Sequence, residues 1–443
     1  VAEGSGPQIP NLFKVPELRK KILFTLGILV VLRLGAHVTI PGINRLNVET
    51  LFGAQNTMFG LLDIFTGGAL QRATVFALGI MPYISASIIF QLLTAVFPYF
   101  EKLQKEGEEG RKRITQYTRY ATVGLAAIQA YGYAAYLQSQ VPQAIEMGGV
   151  RFVLTTVITL TTGAVFVMWL GEQITERGIG NGMSLIIFFS IIERFPVTVL
   201  QVFRLWQAGS ISVFTVVAFF LILVLVIAGV VFMTMAVRKI PIQIPRKVVG
   251  RNRIRQGQKT HLPLRLNSAG VMPIIFAQSI LFFPATLGTF FPEVDWVQGV
   301  ARVFAYESPW YMLLFAVLIV FFTYFYTAII FNPVDLAENM KKQGGFIPGI
   351  RPGARTAEYI DRVLTRVTLP GSLFLAAIAL VPILVFQAPP FRPIPPFLGG
   401  TGLLIVVGVA LDTIQQMQSH LLLRHYEGFM KRGKLRGRGT RTF

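Results

Sequence analysis

The chain has 443 residues, of which 53% are hydrophobic and only 14% charged, with 41 Lys and Arg against 21 Asp and Glu and a net charge of +20. A soluble globule carries roughly 25% charged residues, so this composition excludes an ordinary soluble domain set. Cysteine is absent, which excludes disulfides and thiolate-based metal or redox sites.

Apolar stretches between charge clusters predict ten membrane-spanning helices, at about 22–40, 73–98, 114–137, 151–170, 179–195, 213–236, 267–290, 309–331, 363–386 and 399–420. Val1 to Lys21 is polar and basic with no apolar core, so no cleavable signal peptide is expected there. The fifth span is the weakest, because Glu193 and Arg194 cut its apolar run short. With ten spans both termini lie on one side. Segments on that side hold 32 Lys and Arg, the opposite loops hold 6, and Arg33, Arg151 and Arg366 fall within spans. This asymmetry predicts a cytoplasmic location for the termini and the long loops.

Between the first two spans, Gly60 to Leu70 has the size of a short helix that stops at Gly67-Gly68 and cannot span. It fits either an interfacial helix on the outer leaflet or a re-entrant element in a cavity. The second span carries Ala77-Leu78-Gly79-Ile80-Met81-Pro82-Tyr83-Ile84, and the seventh carries Ser268-Ala269-Gly270-Val271-Met272-Pro273-Ile274-Ile275, with Gly, Met, Pro and the last Ile in register. These are the second spans of two sets of five. An odd number of spans per half inverts the topology of one half relative to the other, with a site or pathway expected between them. Gly and Pro within these two helices would free backbone groups, which places both helices against an interior cavity.

Two long cytoplasmic loops, 237–266 and 332–362, are rich in Arg, Lys, Gly and Pro. Each Arg fits a positive-inside charge on anionic lipid. It also fits a docking face for a large acidic or RNA-containing partner. The tail from Lys431 to Arg438 adds to that face.

The chemistry of catalysis is missing. Asp412 is the clearest carboxylate within a span, and His37, His261, His420 and His425 lie at span ends or in cytoplasmic segments without ligand spacing. No phosphate-binding loop occurs, and Gly178-Ile179-Gly180-Asn181-Gly182 reads as a helix-start turn. No enzyme, cofactor or metal site is expected. A conduit driven by an outside partner fits best; the alternative is a secondary solute transporter with alternating access, which would need a polar site at the midplane.

Several motifs carry a resemblance. Phe76 to Ile89 followed by Gln91-Leu92-Leu93, Lys105 to Arg111, Ile174 to Gly182, Gly345 to Gly353, and Leu403 to Val407 together resemble the SecY family of bacterial protein-translocation channels, from about Val15 to Arg438. The resemblance implies an all-α polytopic membrane protein of ten helices, in two inverted five-helix halves forming a clamshell around a central pore. The halves would run 22–204 and 205–420, between a cytoplasmic segment 1–21 and a basic tail 421–443.

It further implies a pore ring of Ile80, Ile84, Ile186, Ile275 and Ile405, and a plug at about 60–72 containing Leu61, Leu62, Asp63, Ile64, Phe65, Thr66, Gly67 and Gly68. Spans two and three against seven and eight match the family's lateral gate, with Gln91, Gln278 and Ser279 as polar residues that bond across its seam or within their own helices. A docking surface would include Arg246, Lys247, Arg251, Arg253, Arg255, Lys341, Lys342, Arg351 and Arg355. The implied partners are SecE and SecG subunits, the SecA motor ATPase, the ribosome and its RNA, signal peptides and unfolded preproteins, membrane lipid, and SecDF and YidC. The implied location is the bacterial cytoplasmic membrane.

Overall fold

The computed structural model describes residues 15–44, 63, 65–140, 142–243, 247–248, 254–255, 259–290, 296–297, 299, 303–304, 308–394 and 400–435. The helices are α1 (Pro16–Gly35), α2 (Met81–Val96), α3 (Pro98–Lys105), α4 (Glu108–Gln140), α5 (Gly149–Arg177), α6 (Gly182–Gln207), α7 (Val213–Met235), α8 (Met272–Phe290), α9 (Pro309–Ile330), α10 (Pro333–Lys342), α11 (Ala354–Gln387) and α12 (Gly400–Leu435). Each of the ten expected spans falls on one of these helices. Among the described residues five stretches are long and apolar enough to cross a membrane, and α2 with α3, bent by 96°, makes a sixth as a pair. The chain is a multi-pass membrane protein.

It divides into two compact units, one of residues 1–194 with 409–443 and the other of 195–408. In the first, α1 packs on α5, and α4 packs on both α2 and α5. Small residues permit the closest approaches: a side chain on Gly163 of α5 would run into the carbonyl of Val75. Arg119 of α4 grips Glu172 of α5 through two bonds of 2.8 Å. Thr25 of α1 ties down the α5–α6 turn by accepting from the Ile179 amide at 3.2 Å, and Asn181 caps α6 by accepting from the Met183 amide at 3.1 Å, so this stretch is the expected helix-start turn.

In the second unit, α11 packs against α7, α9 and α10, and α8 against α9. Phe276 of α8 meets Phe322 and Tyr326 of α9 edge-on at 5.9 and 5.1 Å. α7 is almost wholly apolar, and its exposed Phe214, Val217, Leu221 and Phe232 suit lipid contact.

Three expectations change. Glu193 and Arg194 do not end the fifth span; α6 continues through Arg204 to Gln207, so these charges sit on a helix and not in a loop. The Met-Pro pairs do not interrupt helices. They start them: α2 begins at Met81 and α8 at Met272, with proline in the first turn, where its missing N–H costs nothing. The preceding Gly79 and Gly270 both have positive φ, 53° and 65°, so the sequence repeat is a repeated turn geometry. Finally, loop 237–266 is not a coil within an all-α chain. It forms an antiparallel hairpin of β1 (Val237–Gln243) and β4 (Lys259–Arg265), with a short inner pair β2 (Lys247–Val248) and β3 (Ile254–Arg255).

Replacing Gly163 with Ala should force α5 away from the Val75 backbone and cost about 1–3 kcal/mol. A lowered thermal midpoint of the purified chain in detergent, against an unchanged Gly124→Ala control with open space around its Cα, is the expected outcome.

Candidate functional site: a plug segment, five isoleucines and a basic platform

The segment after Asp63 is built around one carboxylate. Asp63 is fully buried, and its Oδ1 accepts from the Thr66 hydroxyl at 3.0 Å and from the amides of Leu70 and Gln71 at 3.0 and 3.1 Å. These bonds tie the helical residues Asp63, Phe65 and Thr66 to the turn that follows. The other oxygen, Oδ2, pairs with the Arg194 guanidinium of α6. Gly67 and Gly68 then turn the chain with φ of 64° and 90°. A side chain at Gly67 would press on Ser190, and one at Gly68 would come within 3.1 Å of Arg194. The Gly-Gly pair thus serves both the left-handed turn and close contact with α6. Beyond it, the Tyr133 hydroxyl of α4 donates to the Leu70 carbonyl at 2.8 Å, and Thr39 bridges Thr74.

Glu193, the neighbour of Arg194, pairs with Arg33 of α1, and its other carboxylate oxygen lies close to Gly67. An isolated charge at the centre of a membrane helix costs about 2.5–3.5 kcal/mol on insertion scales. The two pairs give each of these charges a partner within the fold. At the end of α1, Arg72 Nη1 donates to His37 Nε2 at 3.4 Å; a guanidinium has no acceptor, so the ring proton sits on Nδ1 and donates to the Arg33 carbonyl at 3.0 Å. The Asp63–Arg194 and Arg33–Glu193 pairs were missed in the sequence, where the only signal was a Glu-Arg dipeptide inside an apolar run. Of the expected plug residues, Asp63, Phe65, Thr66, Gly67 and Gly68 are buried here, and Leu61, Leu62 and Ile64 lie outside the described residues.

Ile80, Ile84, Ile186, Ile275 and Ile405 are each less than 5% exposed. Each sits at a helix start: Ile80 caps α2, Ile84 and Ile275 occupy the first turns of α2 and α8, and Ile186 and Ile405 follow within the first two turns of α6 and α12. Ile80 follows Gly79, where an added Cβ would come within 3.2 Å of the Thr66 methyl, so the segment after Asp63 packs next to the start of α2. Ile186 rests against Gly171 of α5.

The gate residues differ among themselves. Gln91 Nε2 donates to Ser87 at 3.0 Å, and the Ser279 hydroxyl donates to the Ile275 carbonyl at 2.7 Å, both within their own helices. Gln278 is buried, and its Oε1 has no partner among the described residues.

The two basic loops form one platform. Ile240, Ile242 and Leu264 of the hairpin, Met340 of α10, Ile347, and Ile360 and Leu364 of α11 make a common apolar core. Gln243 and Phe346 exchange two backbone bonds of 2.9 Å, which sews the hairpin to the loop after α10. Burial of Ile347 and positive φ at Gly349 and Gly353 hold the intervening tip, from which Arg351 projects exposed. Lys341, Lys342 and Arg355 are also exposed. Lys247 and Arg255 pair through their backbones at the far end of the hairpin, and Arg246, Arg251 and Arg253 lie outside the described residues.

The family model SecY matches residues 74–414. The chain belongs to the SecY family. It is 48% identical over 428 residues to the protein translocase subunit SecY of Pseudomonas aeruginosa, covering 96% of each chain, and 46% identical to that of Aquifex aeolicus, covering 95% of this chain and 98% of the relative. Its fold is also that of solved SecY-type channels. A structure described as a protein conducting channel superposes with a TM-score of 0.66 at 16% identity, over 94% of this chain and 97% of the other. Sec61 from a canine ribosome-channel complex of the endoplasmic reticulum superposes with a TM-score of 0.63 at 16% identity and the same coverage.

Proposed function

We propose that the chain is the protein-conducting subunit of a bacterial translocase, passing unfolded polypeptides across the cytoplasmic membrane and releasing hydrophobic segments sideways into lipid. Membership of the SecY family supports the first part directly, since relatives 46–48% identical over nearly the full length are protein translocase subunits. The observation that carries the mechanism is the burial of five isoleucines at the starts of four helices. In a membrane protein such side chains have lipid as a ready alternative; their burial takes them away from lipid and fits the pore ring that the family motifs imply. A ring of β-branched side chains offers ions no ligands and closes by dewetting. The plug segment 63–72, packed beside Ile80, fits a stopper for that ring.

The chain has no evident energy source, so the drive comes from outside. The folded platform and its exposed Arg351 fit docking of SecA or the ribosome, with Lys341, Lys342 and Arg355 beside it. The solved relatives include Sec61 in a ribosome-channel complex and an idle Ssh1 complex bound to the yeast ribosome. Orientation follows from the Lys and Arg asymmetry, which supports cytoplasmic termini. SecE and SecG are the expected small subunits, with SecDF and YidC as accessory partners. Gln278, buried and unpaired at Oε1 among the described residues, suits a polar contact across the lateral gate, with Gln91 and Ser279 contributing less because their donors are engaged within their own helices.

Reconstitution with a SecE-type partner in liposomes, with SecA, ATP and an unfolded signal-bearing protein, should give ATP-dependent protease protection of that protein. Arg351→Glu should weaken SecA or ribosome engagement about tenfold, the scale of one lost charge-assisted contact, with an unchanged melting profile. Normal translocation by this variant would remove Arg351 from the docking site. Changing Ile80 and Ile275 together to Ser should raise ion leak through the idle channel, and unchanged conductance would take both residues out of the ring.

A further inference from the structure

The ion pairs on α6 do more than neutralise charge. Residues 193 and 194 are adjacent, and successive side chains on a helix diverge by about 100°. Glu193 reaches Arg33 of α1 while Arg194 reaches Asp63 of the plug segment, so the two pairs together fix the rotation of α6 between these elements. Asp63 is fully buried, and its two oxygens have separate duties: Oδ1 organises the segment's own turn, and Oδ2 faces outward to Arg194. Arg194 Nη2 also lies 3.3 Å from Gln71 Oε1, so the guanidinium holds the segment at both ends of its turn. Gly67 and Gly68 bring the backbone near enough for this grip.

We propose that Asp63 and Arg194 form a charge latch that keeps the plug segment seated on α6, and that the Glu193–Arg33 pair is a positioning contact that holds α6 at the rotation where the latch engages. The proposal rests on the reading of residues 63–72 as a plug. Its consequence is a mechanical coupling. Unseating the segment separates Asp63 from Arg194, and a turn of α6 about its axis cannot preserve both pairs, so any event that rotates α6 also loosens the plug.

The chemistry supplies a selective test. In Asp63→Asn the side-chain oxygen can keep its three bonds to Thr66, Leu70 and Gln71, while the amide NH2 meets the guanidinium donor to donor. Adding Arg194→Gln restores a donor–acceptor pair without charge. The natural chain has no cysteine, and Ala69, within the segment and fully buried, can be changed to Cys with little added bulk as the sole thiol.

The rate at which a water-soluble maleimide labels Ala69→Cys is then measured in nanodiscs, with the full chain co-purified with a SecE-type partner and with neither motor nor substrate present. Labelling should be slow in the otherwise natural chain and at least about tenfold faster with Asp63→Asn, as expected for loss of a charge-assisted bond that only the seated state makes. It should return toward the slow rate in the Asp63→Asn/Arg194→Gln pair and rise by a smaller factor with Glu193→Gln. Equal rates in the Asp63→Asn variant and its parent, with both folded by thermal melting, would overturn the latch, as would fast labelling in the parent. Labelling needs no transport, so a failure of the conduit reading would show only in the translocation assay and would leave these rates as they are.

Discussion

Glutamate and arginine side by side in the middle of an apolar helix are the constraint on which the first unit turns. Neither charge is tolerated in a bilayer alone, and removing one partner of a buried pair typically costs about 3–5 kcal/mol. The chain meets this by sending the two side chains to different elements, Arg33 of α1 and Asp63 of the segment before α2. Three parts distant in sequence are thereby tied together. The left-handed glycines at 67, 68 and 79, the Tyr133 bond to Leu70 and the start of α2 at Met81 are arranged around that tie. The segment is seated by this charge pair together with buried Phe65, Ala69 and Leu70.

The basic platform works on the opposite principle. Its charges point outward, and its stability comes from a small apolar core shared by a hairpin, α10 and the first turns of α11. Arg351 stands on a tip held by Ile347, two left-handed glycines and the Thr356 hydroxyl of α11, which donates to the Arg351 carbonyl at 3.0 Å. A rigid presentation of this kind lowers the entropy cost of docking a large partner.

Much of this was legible in the sequence. Apolar blocks located a helix at each of the ten expected places, and the Gly-Met-Pro repeat marked two equivalent turns, because composition and local turn chemistry act over a few residues. What escaped was set by partners far away. The continuation of α6 through Glu193 and Arg194 depends on Asp63, 131 residues earlier, and on Arg33, so a local hydropathy reading ends the span too soon. Met-Pro was read as a break within a helix when it is a start, because proline is compatible with both and only the positive φ of Gly79 and Gly270 decides. The hairpin at 237–265 was hidden by its basic residues. Its apolar positions, Ile240, Ile242 and Leu264, are too few to signal a strand without the α10 and α11 residues they pack against. The proposed isoleucine ring rests on family motifs, since an isoleucine in a membrane helix carries no mark of its own.

The central claim is that a polypeptide passes the five isoleucines on its way across. The cysteine-free chain allows a direct measurement: single cysteines at positions 80, 84, 186, 275 and 405, and one at the exposed Leu221 of α7, tested for cross-linking to a cysteine in a polypeptide stalled during translocation. The account predicts cross-links from all five ring positions and none from position 221. Cross-links at 221 with silence at the five isoleucines would contradict it.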